Sequence, residues 1–289
     1  AARMEGQPVS AGLPLPSPAP VEVLGLDDLA EFIRAPVRGF LRQRLNVFLG
    51  EDDPTGEDVE PFVLDGLANW RLRDELVQTQ VAALDSGADP DLAGQAHLQT
   101  LARRGELPPG AFGALVAEDM AEPLPGMLQR LVDARERWPQ AVPAQEVDLT
   151  LPPVLPFARL QGWLDGLRSD NQGLRCRLVL SSSTLFDVKA RKHRLDRLAA
   201  HWVRHLVANL ALGPTHSWLI DRESLLRWEP VPADQLQTAW RDLLQARDEG
   251  LRQPLPFTWG AGQVWFTRRV TGASEEDARD KARAHYEGG

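Results

Sequence analysis

The sequence predicts an α+β protein: a mainly helical first half, then strands with a helix packed across them. Three observations carry this. Apolar residues recur at three-to-four spacing from Leu26 to about residue 137. Around residue 145 the period changes, and EVDLTLP (146–152), ARLQGWLDGLR (158–168) and LRCRLVLSSS (174–183) show alternating apolar positions or short apolar runs bounded by turns. A long helical stripe returns over 188–211, before further strand-like segments.

Residues 1–22, rich in Pro, Gly, Ser and Ala and without a period, are expected to be a linker. The remainder, 23–289, is expected to be one domain, helical over about 23–140 and with a mixed sheet and helices over about 145–289. Leu26, Leu29, Ala30 and Ile33 form a helical face, with Asp27 and Asp28 in the first turn, where negative charge suits the helix dipole. Pro36 opens a second helix, where its missing N–H costs nothing, and Val37, Phe40, Leu41, Arg44 and Leu45 repeat along it. GEDDPTGEDVEP (50–61) is an acidic, turn-rich loop. Helices are expected over 64–85, about 91–104 and 111–137, with interruptions at 103–110 and 122–126. The three strands after residue 145 are expected to form a meander. The 188–211 helix carries Leu195, Leu198, Trp202, Leu206, Val207 and Leu210 on its apolar face. HSWLID (216–221) and SLLRWEP (224–230) suggest a hairpin turning at Asp221 and Arg222. A helix over about 233–250, a Pro/Gly/Trp-rich loop, a short strand at QVWFTR (263–268) and a last helix over 274–286 complete the pattern.

Of the 289 residues, 43% are hydrophobic and 25% charged, the balance of a soluble globular protein. No stretch approaches the roughly 18 apolar residues of a membrane span, and the first residues lack the basic and apolar regions of a secretory signal. The single cysteine, Cys176, excludes an internal disulfide and any cysteine-built zinc or iron–sulfur site, and fits a cytoplasmic location. A net charge of −9 argues against coating nucleic acid with the whole surface, but leaves room for a local basic stripe.

His201 and His205 have the i,i+4 spacing of a zincin helix, but that motif needs Glu after the first His, where Trp202 stands. No phosphate loop with Gly-Lys-Ser/Thr occurs, so no nucleotide hydrolysis by that route is expected, and no Gly-x-Ser-x-Gly elbow occurs either; no metal and no cofactor is expected. The densest cationic cluster is Lys189, Arg191, Lys192, His193, Arg194 and Arg197, in the first turns of the expected 188–211 helix. Cations there oppose the helix dipole by a few tenths of a kcal/mol each, roughly, and a nearby anion reverses the sign. DNA phosphate, an acidic partner surface and a plain solvated helix end all fit. Arg38, Arg42 and Arg44 flank the Pro36 helix and serve either an anion or the acids Glu31, Asp27 and the 51–60 segment. Trp163, Trp202, Trp218 and Trp240 fall on apolar faces and are expected in the core. Trp259 and Trp265 lie in or beside the Gly/Pro-rich loop, where they either stack on a base, meet a partner, or tuck onto the domain.

Three segments resemble a known family. LDDLAEFIRAPVRGFLRQRLNVFL (26–49) is similar to Leu-x-x-Phe-x-x-x-Pro-Val-Arg-x-Phe-x-x-x-Arg-Leu, with Leu29, Phe32, Pro36, Val37, Arg38, Phe40, Arg44 and Leu45 in place. GELPPGAFG (105–113) resembles Gly-x-Leu-Pro-x-Gly-x-x-Gly, and PLPF (254–257) is followed by KARAHYEGG (281–289). All three, in this order, resemble the carboxy-terminal part of the RecC family, the gamma chain of exodeoxyribonuclease V, the RecBCD helicase–nuclease of double-strand-break repair. The resemblance implies a PD-(D/E)xK restriction-endonuclease-like fold without nuclease activity, docking to RecB and RecD, and DNA as a partner, split near a pin loop.

A PD-(D/E)xK centre needs two carboxylates on neighbouring strands for Mg²⁺ and a lysine to orient the water. Gly162-Trp163-Leu164-Asp165 matches the first acid. The window for the second acid and the lysine falls on Leu178, Val179 and Leu180, which ligate nothing. Asp187-Val188-Lys189 has the Asp-x-Lys spelling, but Asp187 is expected to cap the following helix. In place of the Gln-x-x-x-Tyr of active members stands AAHWVRHL (199–206). The expectation is a non-catalytic module that guides or splits DNA. An active Mg²⁺ nuclease using Asp165, Asp187 and Lys189, and an assembly module without DNA contact, are the alternatives.

Overall fold

The computed structural model describes residues 14–18, 21–48, 66–151 and 157–288. The acidic loop 50–61 and most of the expected linker lie outside the described residues. The first strand among the described residues is β1 (Val21–Gly25), so Val21 and Glu22, expected at the end of the linker, are strand residues. Helices α1 (Leu26–Arg34) and α2 (Pro36–Leu45) follow as the apolar spacing demands, α1 with Asp27 and Asp28 in its first turn and α2 with Pro36 at its start. Next come α3 (Gly66–Asp85), α4 (Pro90–Arg103), α5 (Gly110–Ala121) and α6 (Leu124–Arg137). The strands β2 (Gln140–Ala141), β3 (Gln145–Thr150), β4 (Phe157–Leu164), β5 (Leu167–Ser169) and β6 (Arg175–Leu180) succeed them. A small hairpin, β7 (Phe186–Asp187) and β8 (Lys192–His193), leads into α7 (Leu195–Leu212). The chain continues with β9 (Thr215–Ile220), β10 (Leu225–Trp228), α8 (Ala233–Arg252), α9 (Trp259–Val270) and α10 (Glu275–Glu287).

The residues group into two compact units: one of Ala1–Leu49, Asp148–Gln161 and Gln237–Gly289, the other of Gly50–Val147 and Gly162–Leu236. In the first, β1 runs parallel to β4, Val23 opposite Arg159 and Leu24 opposite Leu160, in a sheet of order β1-β4-β3. Phe32 is buried there, with the Arg247 guanidinium 5.6 Å from its ring centre. In the second, the sheet order is β10-β9-β6-β5-β2. Here β6 and β9 are parallel, Arg175 opposite Thr215 through Leu180 opposite Ile220, with α7 between them in the chain. Parallel neighbours need such a crossover, whereas β9 and β10 turn directly, as the sequence pattern indicates. Leu72, Leu76, Leu101, Met120, Met127 and Leu131 are buried together as the core of this unit.

The expected meander is divided. β4 pairs in the first sheet and β5 in the second, because the strand breaks at Asp165-Gly166. Gly166 has φ +67°, and a Cβ there would stand 2.5 Å from the carbonyl oxygen of Leu178. Only glycine takes this backbone without strain. Gly166→Ala is expected to destabilise the protein by about 1–3 kcal/mol, measured as a lowered urea midpoint.

Two further expectations are corrected. The helix expected from residue 188 begins only at Leu195, and the residues before it form the β7–β8 hairpin. Asp187 is therefore no helix cap: its Oδ1 accepts the Ala190 N–H at 2.8 Å, inside the hairpin turn, while Arg191 takes φ +50°. The Phe186 and His193 rings, 4.8 Å apart, close the pair. Helix dipole and like-charge repulsion both disfavour a helix that starts with five cations. The segment QVWFTR is part of helix α9 and not a strand. Thr258 caps that helix by accepting the Ala261 N–H at 3.2 Å, and Ala261 and Gln263 are buried. Cap and burial thus overrule the β-propensity of Val, Trp, Phe and Thr. Among the tryptophans expected in the core, Trp240 is buried, but Trp163 is 62% and Trp202 37% exposed. Trp218 is half-buried, its ring 5.7 Å from that of the fully buried Trp138.

Candidate functional site

Asp165 sits in the break after β4, its side chain open to solvent. On β6, the buried Arg177 donates from Nη2 to Asp165 Oδ1 at 2.8 Å. Partial desolvation pulls the Asp165 carboxyl up even at this exposed position, but the Arg177 hydrogen bond and charge, with Arg204 adding to them, outweigh it and hold it below the usual carboxylate range. Further along β6, Leu178 and Leu180 pack against the core of the second unit, and Val179 points to a smaller cluster with Leu185, Leu198 and Leu219. None of the three offers a ligand atom. Among the described residues no group of three His, Cys, Asp or Glu is placed to hold a metal ion. His205 is a core residue: its Nδ1 lies 2.8 Å from Ser217 Oγ and its Nε2 3.1 Å from the Glu229 carbonyl oxygen. Burial pushes both His201 and His205 down to about 4.

The basic cluster is brought into a groove of about 440 Å³ in the second unit. Lys189, Arg194 and Arg197 line it together with Asp187, whereas Arg191 and Lys192 are exposed but are not among its lining residues. Three residues with no local signal join them: Trp70 and Arg73 from one face of α3, and Arg222 from the β9–β10 turn. Arg73 is fixed by Nε to Asn69 Oδ1 at 2.7 Å and by an ion pair with Asp119. Arg197 donates to the Thr184 carbonyl oxygen at 2.9 Å, and Arg194 meets Asp196 at 3.3 Å. Burial, then the charge of Arg222, lowers the Arg73 pKa against the pull of Asp119. Burial, then Arg194, does the same to Arg197. The guanidiniums stay charged, but they repel one another.

The other candidates belong to the first unit. Arg38 and Arg42 are exposed on α2. Glu31, offered as their partner, pairs instead with Arg34 at 2.7 Å. Its carboxyl is lowered chiefly by that hydrogen bond, with burial opposing and Arg34, Arg38 and Arg42 adding charge. Trp259 is tucked in, donating from Nε1 to the Arg34 carbonyl oxygen at 2.7 Å. Trp265 is 39% exposed and lines a shallow groove with Phe257 and Tyr286.

No helix among the described residues is long and apolar enough to cross a membrane. The family model of the RecC C-terminal domain matches residues 21–270. RecBCD enzyme subunit RecC of Escherichia coli strain K12 is 28% identical over 88% of this chain and 20% of its own length. The same subunit of Mycobacterium tuberculosis is 28% identical, and that of Mycolicibacterium smegmatis 30% identical, each over 91% of this chain and 22% of its own. The chain thus spans about a fifth of the length of the curated relatives it matches. One solved structure, described as the crystal structure of SSO0001, covers 83% of this chain and 82% of its own at 10% identity, but its TM-score of 0.32 is too low to bear on the fold. On the family match over residues 21–270, the chain belongs to the RecC C-terminal domain family.

Proposed function

We propose that this chain is a non-catalytic module of a RecBCD-type helicase–nuclease in double-strand-break repair, guiding or splitting DNA and docking RecB and RecD. One observation carries the non-catalytic part. The retained acid Asp165 is occupied by Arg177, and apolar Leu178 and Leu180 stand on the neighbouring strand in the window of the second acid and the lysine. The Arg177 guanidinium already engages this acid, and Leu178 and Leu180 supply no second carboxylate for Mg²⁺. The order of antiparallel strands, helix α7 and the parallel strand β9 supports a PD-(D/E)xK-like frame. Asp187 and Lys189 do not rescue a centre, since they sit on the β7–β8 hairpin, outside the five-stranded sheet. The cationic groove supports the DNA-handling part.

Incubation with single- and double-stranded DNA in Mg²⁺ or Mn²⁺ is expected to give no cleavage, in wild type and in Asp165→Ala alike. Metal-dependent cutting that Asp165→Ala abolishes would overturn the non-catalytic reading. Docking is checked by co-purification with RecB and RecD, and failure to associate with either removes that part.

A further inference from the structure

We infer that the groove between α3, the β7–β8 hairpin and the β9–β10 turn is a subsite for single-stranded nucleic acid, with Arg73, Arg197, Arg222 and Lys189 on backbone phosphates and the Trp70 indole stacked on an unpaired base. This rests on the DNA-handling reading above and narrows it to one strand, one groove and named side chains.

The charge is concentrated. In a chain of net charge −9, five cations (Arg73, Lys189, Arg194, Arg197 and Arg222) line this one groove, against the carboxylates Asp187 and Glu223. Among the described residues, no hydrogen bond or ion pair engages the Lys189 ammonium or the Arg222 guanidinium, and Arg222 Nε is buried without a partner. The half-buried Arg222 guanidinium is costly to leave without an anion, and the exposed Lys189 ammonium is free to reach the same one. Arginine forks match phosphate oxygens in pairs, which favours a phosphodiester over a lone halide. The cations come from three segments separated in the chain, so the fold itself assembles the groove.

Trp70 decides between nucleic-acid forms. It is 46% exposed on the same helix face as Arg73, with side-chain-free Gly66 at the start of that face. Bases inside a duplex are covered on both faces by their neighbours, so an indole at the groove wall finds a stacking partner only on an unpaired base. An acidic peptide would use the cations and leave the indole idle.

The test is fluorescence anisotropy on the full chain with labelled oligothymidylate, a hairpin duplex of matched charge, and polyglutamate as competitor, over a range of salt. Wild type is expected to bind the single strand more tightly than the duplex. Arg222→Ala with Lys189→Ala is expected to weaken single-strand binding at least tenfold and to flatten the log–log salt slope by about 1.4, two phosphates at about 0.7 each. Since these two side chains hold nothing else, the thermal midpoint is expected to stay put. Trp70→Ala is expected to cost about tenfold on the single strand and nothing on the duplex, with Trp70→Phe restoring most of it. Equal binding of both DNAs, or no effect of Trp70→Ala, overturns the single-strand subsite while leaving DNA handling intact. Displacement of the oligonucleotide by polyglutamate at equal charge, with Trp70→Ala neutral, overturns it in favour of an acidic protein surface. No binding of either DNA at low salt removes both this inference and the DNA part of the proposed function.

Discussion

Replacing Asp221 by alanine is expected to cost the fold about 3–5 kcal/mol, read as a large drop in the urea midpoint. This carboxylate is fully buried and accepts five hydrogen bonds. Oδ1 takes the N–H of Glu223 at 2.9 Å, the N–H of Ser224 at 2.5 Å and the Ser224 hydroxyl at 2.8 Å, closing the β9–β10 turn. Oδ2 takes the N–H of Leu185 at 2.6 Å and of Phe186 at 3.1 Å, pinning the start of the β7–β8 hairpin to that turn. Alanine leaves these donors without their acceptor in a dry setting, and the orphaned groups cost more than the bonds are worth net. The Asp221→Asn variant keeps one acceptor oxygen and turns an amide N–H₂ towards the other donors, so an intermediate loss is expected. Ser224→Ala, which removes one neutral donor, is expected to cost only about 1 kcal/mol. A loss below about 1 kcal/mol in Asp221→Ala would show that water enters and satisfies the freed groups. The same anchor positions the hairpin that carries Lys189 beside the turn that carries Arg222, so slackening of the groove is expected to accompany the loss.

Acid is expected to weaken the protein steeply well above the range where carboxylates titrate. His201 and His205 are held neutral by burial, each pushed down to about 4 from an ordinary 6.5. Arg177 and Arg204 add their charge at His201, whereas at His205 the Glu229 carbonyl pulls the other way. The unfolded chain takes up protons on these histidines near pH 6.5 and the native chain refuses them until about pH 4. Stability from this source is therefore intact above 6.5, falls as pH drops through the window, and levels off below about 4. Each histidine contributes up to about 1.4 kcal/mol per pH unit, so the pair has a ceiling of about 7 kcal/mol across the window. Urea midpoints between pH 7.5 and 4.5 measure it, and a flat profile would sink the account. His205→Gln is expected to lower stability at neutral pH, since it loses the Ser217 contact, but to flatten the slope by about half. The lowered Asp165 carboxyl acts later: its contribution is present above the ordinary carboxylate value and is lost as pH falls through the depressed one.

Much of this architecture is legible in the chain, where a local pattern has one physical solution. The α1–α2 pair follows from apolar spacing around Pro36, and the β9–β10 hairpin from two apolar runs split by turn residues. The α7 boundary is not legible from the side chains alone, because Asp187 looks the same whether it caps a helix or closes a turn. What decides is the crowd of cations after it and the left-handed backbone at Arg191. At α9, a run of β-formers hides a helix whose stability comes from the Thr258 cap and burial. The missing ligands at Leu178 and Leu180 are visible in the spacing from Asp165. Arg177, which answers that acid, is not, because the pairing depends on the break at Gly166 and on strand register. Half of the groove is open to reading through Lys189, Arg194 and Arg197. Arg73, Trp70 and Arg222 join it through tertiary folding, which no local pattern carries. The exposure of Trp163 and Trp202 is hidden for a related reason: residue type marks a preference for burial, while the fold decides which apolar side chains lack a cover.

The one sulfur of the chain's cysteine complement gives it a practical property. Cys176 lies fully buried in β6, and burial pushes its thiol up to about 12, so at neutral pH only about one molecule in 10⁵ carries the reactive thiolate. Alkylating reagents and maleimide dyes are therefore blocked twice, by access and by chemistry, for as long as the sheet stays closed. A cysteine introduced on the surface acts as a single addressable handle without removal of the native one. Slow labelling of the native thiol, in turn, becomes a clock for how often the second unit opens.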